Sequence, residues 1–364
     1  MRVSPLFVLV LVARTAACAR SAGPAPQTPM AVDAERPPTP PPSPAAASTS
    51  APSDPPPRGY AARRLAGFTV FVNDEVFAHP AVAEVLLPRV EASLAEVGAR
   101  MGARRAAVAG VRVWIEWTRF QPERSRGVAE FHRSRAWLQA NGYDPAKAQG
   151  IEINDARAYL DVATRTQPAV LLHEFAHAYE ALALGDADPA ITAAFEAARR
   201  SGRYEAVARA GGSTGRAYAL VDAHEYFAEL TEAYLAVNDF FPFVREQLRE
   251  HDPDGFALLS RVWGPQPPRP AATRRPCEAP LASEVTGVST AIVFENRAAS
   301  PMDLWWVDDR GGRHHYARVA PGSLDVRQTY AGHAWLALDV GGRCIGAFVA
   351  GPSVERADLG AVGP

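Results

Sequence analysis

Residues 168–185 read PAVLLHEFAHAYEALALG. Pro168 suits the first turn of a helix and Gly185 a stop, so the run predicts one helix from about 168 to 184. Inside it lies an HExxH pattern, His173-Glu174-Phe175-Ala176-His177. Residues four apart share a helix face, so both imidazoles can reach one metal ion. Glu174 lies beside them, where it can take a proton from a water that the metal activates. A catalytic zinc needs three protein ligands and an open position. The metzincin extension would require Gly at 180 and His at 183, and these are Glu180 and Ala183.

The third ligand is therefore sought downstream, in DAHEYFAELTEAYL at 222–235, a second predicted helix reaching to about 237. Glu225 is assigned as the third ligand. Glu229, four residues on, is expected to orient His173 through its other ring nitrogen. His224 points about 100° away around the helix and is set aside as a ligand.

Working outward, FTVFV at 68–72 and VRVWIEW at 111–117 read as strands. GIEIN at 150–154 is a further strand, and helical spacing runs over 81–101 and 189–200. Mixed strands and helices from 65 to 263 predict one α+β domain. Residues 264–287 read as a linker. From 289 to 350 short strands are expected at 289–296, 302–308, 313–319, 323–330, 333–340 and 343–350, separated by turn signals. This predicts a small all-β sandwich at 288–350 and a tail at 351–364.

The N-terminus has a secretory layout over 1–19: Arg2, a short apolar stretch from Leu6 to Ala13, then small residues. Cys18 after Thr-Ala-Ala also fits a lipidation site, which would attach the chain to a membrane. Residues 20–64 are rich in Pro, Ala, Ser and Thr and are expected to be a disordered tether. The localisation expected is export, to the extracellular space or the cell envelope.

The chain has 364 residues with Lys plus Arg 38 and Asp plus Glu 40, a net charge of -2, which supplies no basic footprint for nucleic acid. Lys147 is the only lysine, and we read that as nucleotide composition rather than function. Three cysteines exclude a Cys-rich zinc module. Apart from Cys18, an exported chain would leave Cys277 and Cys344 as an even pair able to form a disulfide.

HEFAHAY at 173–179, followed by the segment from Tyr218 to Glu225 and EYFAE at 225–229, resembles the anthrax-lethal-factor-like zinc metallopeptidases, which are gluzincins. It also resembles secreted bacterial and fungal zinc metallopeptidases with the same EYFAE helix. The resemblance covers roughly 66–263 and includes FHRS at 131–134, Trp137-Leu138, Asn141-Gly142 and Gln167-Pro168. It implies a zincin-type fold, one zinc ion and peptide hydrolysis. It also implies that Tyr218, seven residues before Glu225, donates to the oxyanion of the transition state. Asp222 departs from the family, which carries Asn there. We further expect 150–154 to be an edge strand near the cleft where a peptide adds, with His132 either at the cleft or on the surface.

The segment 289–340 resembles the β domain of the von Hippel–Lindau tumour suppressor, through FENR at 294–297, Pro321-Gly322 and QTYAGHAW at 328–335. That family implies a cage for 4-hydroxyproline, here Trp306, Tyr316, Thr329, Tyr330, His333 and Trp335; the alternative is that Trp306 and Trp335 are core of the sandwich. Thr329 and Gln328 replace a Ser and a His. A hydroxyproline-containing protein is thus an expected partner. The competing expectation is a non-catalytic binding protein that uses the sandwich beside a degenerate peptidase domain.

Overall fold

The computed structural model describes residues 56–121, 127–210, 212–286 and 288–360. The signal-peptide and Cys18 readings, and the tether up to residue 55, lie outside the described residues. Among the described residues no helix is long and apolar enough to cross a membrane.

The described chain is α+β, with helices beside several separate sheets. It opens with the hairpin β1 (Tyr60–Leu65) and β2 (Phe68–Asn73). The expected tether therefore ends sooner than 64. Tyr60 to Leu65 pair in register with Asn73 to Phe68, which satisfies backbone groups that a tether would leave to water. Then follow α1 (Asp74–Phe77), α2 (Pro80–Met101), β3 (Arg112–Ile115), β4 (Ala129–Phe131), α3 (Arg135–Ala140) and β5 (Ile151–Ile153). The sheet order is β1-β2-β3-β5-β4. β2, β3 and β5 run parallel, while β4 is antiparallel to β5. The expectation that 150–154 forms the edge is thereby corrected. β4 covers that side of β5, so β4 is the outer strand.

Helices bury one face of this sheet. After α4 (Ala156–Arg165) comes α5 (Val170–Tyr179), which continues as a π turn at Glu180–Leu184 and ends at Gly185, φ +91°. Every residue from Val170 to Ala178 is buried, as expected of a helix at the centre of a domain. α6 (Pro189–Ser201), a short ribbon of β6 (Val207–Ala208) and β7 (Thr214–Gly215), α7 (Ala223–Leu235), α8 (Arg245–His251) and α9 (Pro253–Trp263) complete this part. One hydrophobic core runs from Phe68 to Trp263.

The C-terminal part is two packed sheets. β8 (Thr273–Arg275), β9 (Ser289–Glu295), β10 (Met302–Val307), β11 (Arg313–Val319), β12 (Leu324–Tyr330), β13 (Ala334–Asp339), β14 (Cys344–Val349) and β15 (Glu355–Asp358) pair as β11-β10-β13-β14-β8 and β12-β9-β15. The six predicted strands are present. β8 and β15 were not foreseen, because three and four residues flanked by Pro and Gly carry too little alternation. The expected linker and tail each contribute a strand to this sandwich. A disulfide between Cys277 and Cys344 also ties the former linker to β14.

Candidate metal centre

α5 and α7 pack against each other and set the site between them. One turn of α5 separates His173 from His177, whose Nε2 atoms stand 3.1 Å apart. Asp222 caps α7 by accepting from the His224 and Glu225 amides, both at 2.9 Å. The cap places Glu225 in the first turn, with its Oε2 3.0 Å from His173 Nε2 and 3.4 Å from His177 Nε2. Tetrahedral zinc bonds of about 2.0–2.2 Å put ligand atoms roughly 3.3–3.5 Å apart. The triangle of donors is close to that size, and its chemistry, two imidazoles and a carboxylate, suits zinc.

The electrostatics favour a cation there. Burial disfavours a charged His173, yet hydrogen bonds to Glu225 and Glu232 outweigh it and hold the imidazole well above its ordinary pKa. Burial likewise disfavours the Glu225 carboxylate, and the His177 and His173 rings hold it well below the usual range. A divalent ion at the two Nε2 atoms meets the same demand for positive charge that the proton meets here.

Glu229 is not the orienting carboxylate. His173 Nδ1 lies 2.7 Å from Glu232 Oε1 and 3.8 Å from the nearer oxygen of Glu229. Both oxygens of Glu229 are buried without a hydrogen-bond partner. Burial, with Asp239 and Glu232 nearby, pushes its carboxyl well above the usual range. Sequence reasoning passed over Glu232, although it lies seven residues after Glu225 and so on nearly the same face. His173, Glu229 and Glu232 form a second cluster with ligand atoms within 4.8 Å of one another. There the Nδ1 is already committed to Glu232.

Glu174 is buried, and its Oε2 accepts the Phe131 amide of β4 at 2.8 Å. Tyr218, in a single 3-10 turn before α7, donates its hydroxyl to Glu225 Oε1 at 3.0 Å. His224 turns away to Glu180, Nδ1 to Oε1 2.6 Å, and the second oxygen of Glu180 accepts from Arg133. His132 does not reach the cleft. It is 3% exposed, with its ring bonded to Glu152.

In the sandwich, Trp306 and Trp335 are directly opposed on β10 and β13. Trp306 and Tyr330 lie 5.5 and 5.2 Å from the His333 ring, and Thr329 Oγ1 is 3.0 Å from His333 Nδ1. Tyr316 packs edge-on to Trp335 at 5.1 Å. Trp335 itself is 2% exposed and packs on Phe294, so it is a core residue under the cluster rather than an open wall. The residues expected to form a cage are thus neighbours, with Trp335 as its floor.

No protein-family model and no curated protein matches this chain.

Proposed function

We propose that the chain is an exported zinc-dependent endopeptidase of zincin type whose β-sandwich binds a segment of its substrate. The observation that carries this reading is the triangle of His173 Nε2, His177 Nε2 and Glu225 Oε2, 3.0 to 3.4 Å on a side, with Glu174 on the same helix. The antiparallel outer strand β4, bonded to Glu174, supports it. The secretory layout of residues 1–19 supports export.

A zinc ion on His173, His177 and Glu225 would supply a Lewis acid and a water acidic enough to react near neutral pH. Glu174 takes the proton of the attacking water and delivers it to the leaving amine. The Phe131 N–H occupies Oε2 and leaves Oε1 for that proton. Tyr218 donates its hydroxyl to the oxygen on which charge develops, released from Glu225 Oε1 as that charge builds. Glu232 keeps His173 in the tautomer that offers Nε2 to the metal. An extended peptide would lie along the outer side of β4, where Ala129 turns its backbone groups away from β5.

For the sandwich, a hydroxyproline ring would lie against Trp306, Tyr330 and His333. The Trp306 indole N–H has no acceptor, which suits a ligand carrying oxygens. Elemental analysis of the purified protein should find one zinc per chain. Hydrolysis of a peptide library should stop on chelation and return with zinc. Metal-free protein, or cleavage indifferent to the chelator, removes the enzymatic reading and leaves the non-catalytic binding protein.

A further inference from the structure

The only lysine of the chain is buried. Lys147, 5% exposed, ends the 3-10 turn Pro145–Lys147 that leads into β5. Its ammonium donates to Glu116 Oε1 at 2.8 Å and to Glu152 Oε1 at 2.7 Å. Tyr60 and Asn73 donate to the two oxygens of Glu116 at 2.6 and 3.0 Å. The other oxygen of Glu152 meets His132 Nε2 at 2.6 Å. The His132 and Lys147 bonds outweigh burial and keep Glu152 below the usual carboxylate range, so it accepts and His132 donates.

This network touches every strand of the first sheet or the residue just after it: Tyr60 on β1, Asn73 on β2, Glu116 after β3, Glu152 on β5 and His132 after β4. Ile151 and Ile153 face the helices in the core, so Glu152 between them faces away from α5. An ion cluster in so dry a place adds little net stability over apolar packing, and its best-attested use is to specify one arrangement.

The arrangement it specifies is that of β4. This strand has only three residues and lies at the sheet edge, so its own ladder holds it weakly. The His132 amide donates to Gly150 O at 2.9 Å, and Gln149 N–H donates to His132 O at 2.7 Å. Lys147 anchors the turn that carries Gln149 and Gly150, and through Glu152 it also anchors the His132 ring. The next residue back, Phe131, points its N–H outward to Glu174 Oε2 at 2.8 Å.

We infer that Lys147 is a positioning residue for the general base: through Glu152 and His132 it fixes the outer strand whose Phe131 N–H holds the Glu174 carboxylate. The inference rests on the metallopeptidase reading for the role of Glu174, but not for the coupling between Lys147 and the Phe131 amide. It is tested in the full chain with Lys147→Met/Glu152→Gln, which removes the Lys147–Glu152 pair and leaves Glu116 to its Tyr60 and Asn73 donors, and with His132→Leu. His132→Gln, which keeps an N–H donor, serves as the conservative counterpart.

Amide hydrogen exchange should show the Phe131 and His132 amides exchanging roughly 10-fold faster or more in the first two variants, with α5 still protected. His132→Gln should stay near wild type. In peptide hydrolysis, kcat per bound zinc should fall roughly 10- to 100-fold with KM little changed, as for a misplaced catalytic group. A purely structural role would lower the unfolding midpoint yet leave kcat per folded, zinc-loaded molecule intact. Unaltered exchange at Phe131 in either folded variant overturns the inference, whether or not the protein cleaves peptides. So does a kcat within about twofold of wild type in an active enzyme.

Discussion

At the scale of single residues, the proposed metallopeptidase site separates groups that would bind a metal from groups that would serve it, and substitutions should follow that division. Glu174→Gln removes a proton acceptor and no ligand. Zinc content should be unchanged while kcat falls about 10²–10⁴-fold, and unimpaired turnover would refute the assignment of the base. The two buried acids of α7 should behave differently. Glu232 takes the Nδ1 of His173 at 2.7 Å, so Glu232→Gln should weaken zinc binding roughly 10- to 100-fold in a competition titration. Glu229 makes no hydrogen bond to His173, so Glu229→Gln should leave zinc affinity near wild type. Equal loss of zinc affinity in Glu229→Gln would restore the original assignment of Glu229 as the orienting group. Position in the sequence placed both acids near one face of α7, but it did not say which was nearer to His173. That depends on how far α7 is rotated against α5.

At the scale of elements, the site depends on α7 being held between α5 and α9. Asp252 caps α9 by accepting the Gly255 amide at 3.1 Å, and its other oxygen accepts the Tyr204 and Tyr226 hydroxyls at 3.0 and 2.7 Å. Gly255 is at the crossing of α9 with α7. A Cβ there would meet Leu230 Cδ2 at 2.5 Å and the Tyr226 hydroxyl at 2.6 Å. Gly255→Ala should therefore cost about 1–3 kcal/mol in chemical denaturation, and a wild-type midpoint would mean that the crossing yields freely. The helix of the two histidines was legible because Pro168 and Gly185 punctuate it. The outer strand was not. β4 has three residues and β5 reads equally well as an edge, since pairing partners are distant in sequence and no local signal names them.

At the scale of the whole molecule, the sandwich docks on the first domain. Ala291, Val293 and Val354 of the sandwich bury against Val237 and Val244, which lie between the end of α7 and the start of α8. Glu246 of α8 pairs with Arg269 at 3.2 Å and with Arg245 at 3.2 Å beside that seam. Burial would raise the Glu246 carboxyl, but the two guanidiniums hold it below its ordinary 4.5. Its folded pKa is depressed, so its contribution is complete above 4.5 and is lost as pH falls through the lower folded value. Melting temperatures should thus drop more steeply below about pH 4.5 in wild type than in Glu246→Gln, and parallel curves would dismiss the pair. Docking also means that the aromatic cluster around His333 is carried at a set place, not on a free tether. Its ligand is best sought with the full chain, titrated with paired peptides that differ only in proline or hydroxyproline. A preference for hydroxyproline that is lost in Trp306→Ala supports the cage, and equal binding of both peptides removes it.

The helices of the site and most of the sandwich were legible in the sequence. Periodicity placed the helices of the site and six strands of the sandwich, and the four-residue spacing of His173 and His177 put two imidazoles on one face. These are local properties, set by residues within a turn or two of each other. The tertiary structure alone decided that β4 is the outer strand, that Glu232 and not Glu229 holds His173, and that Lys147 sits between Glu116 and Glu152. It also decided that the former linker and tail complete the sandwich. Each of these depends on which segments meet across the fold, where burial and the pairing of charges, rather than neighbouring residues, select the partner.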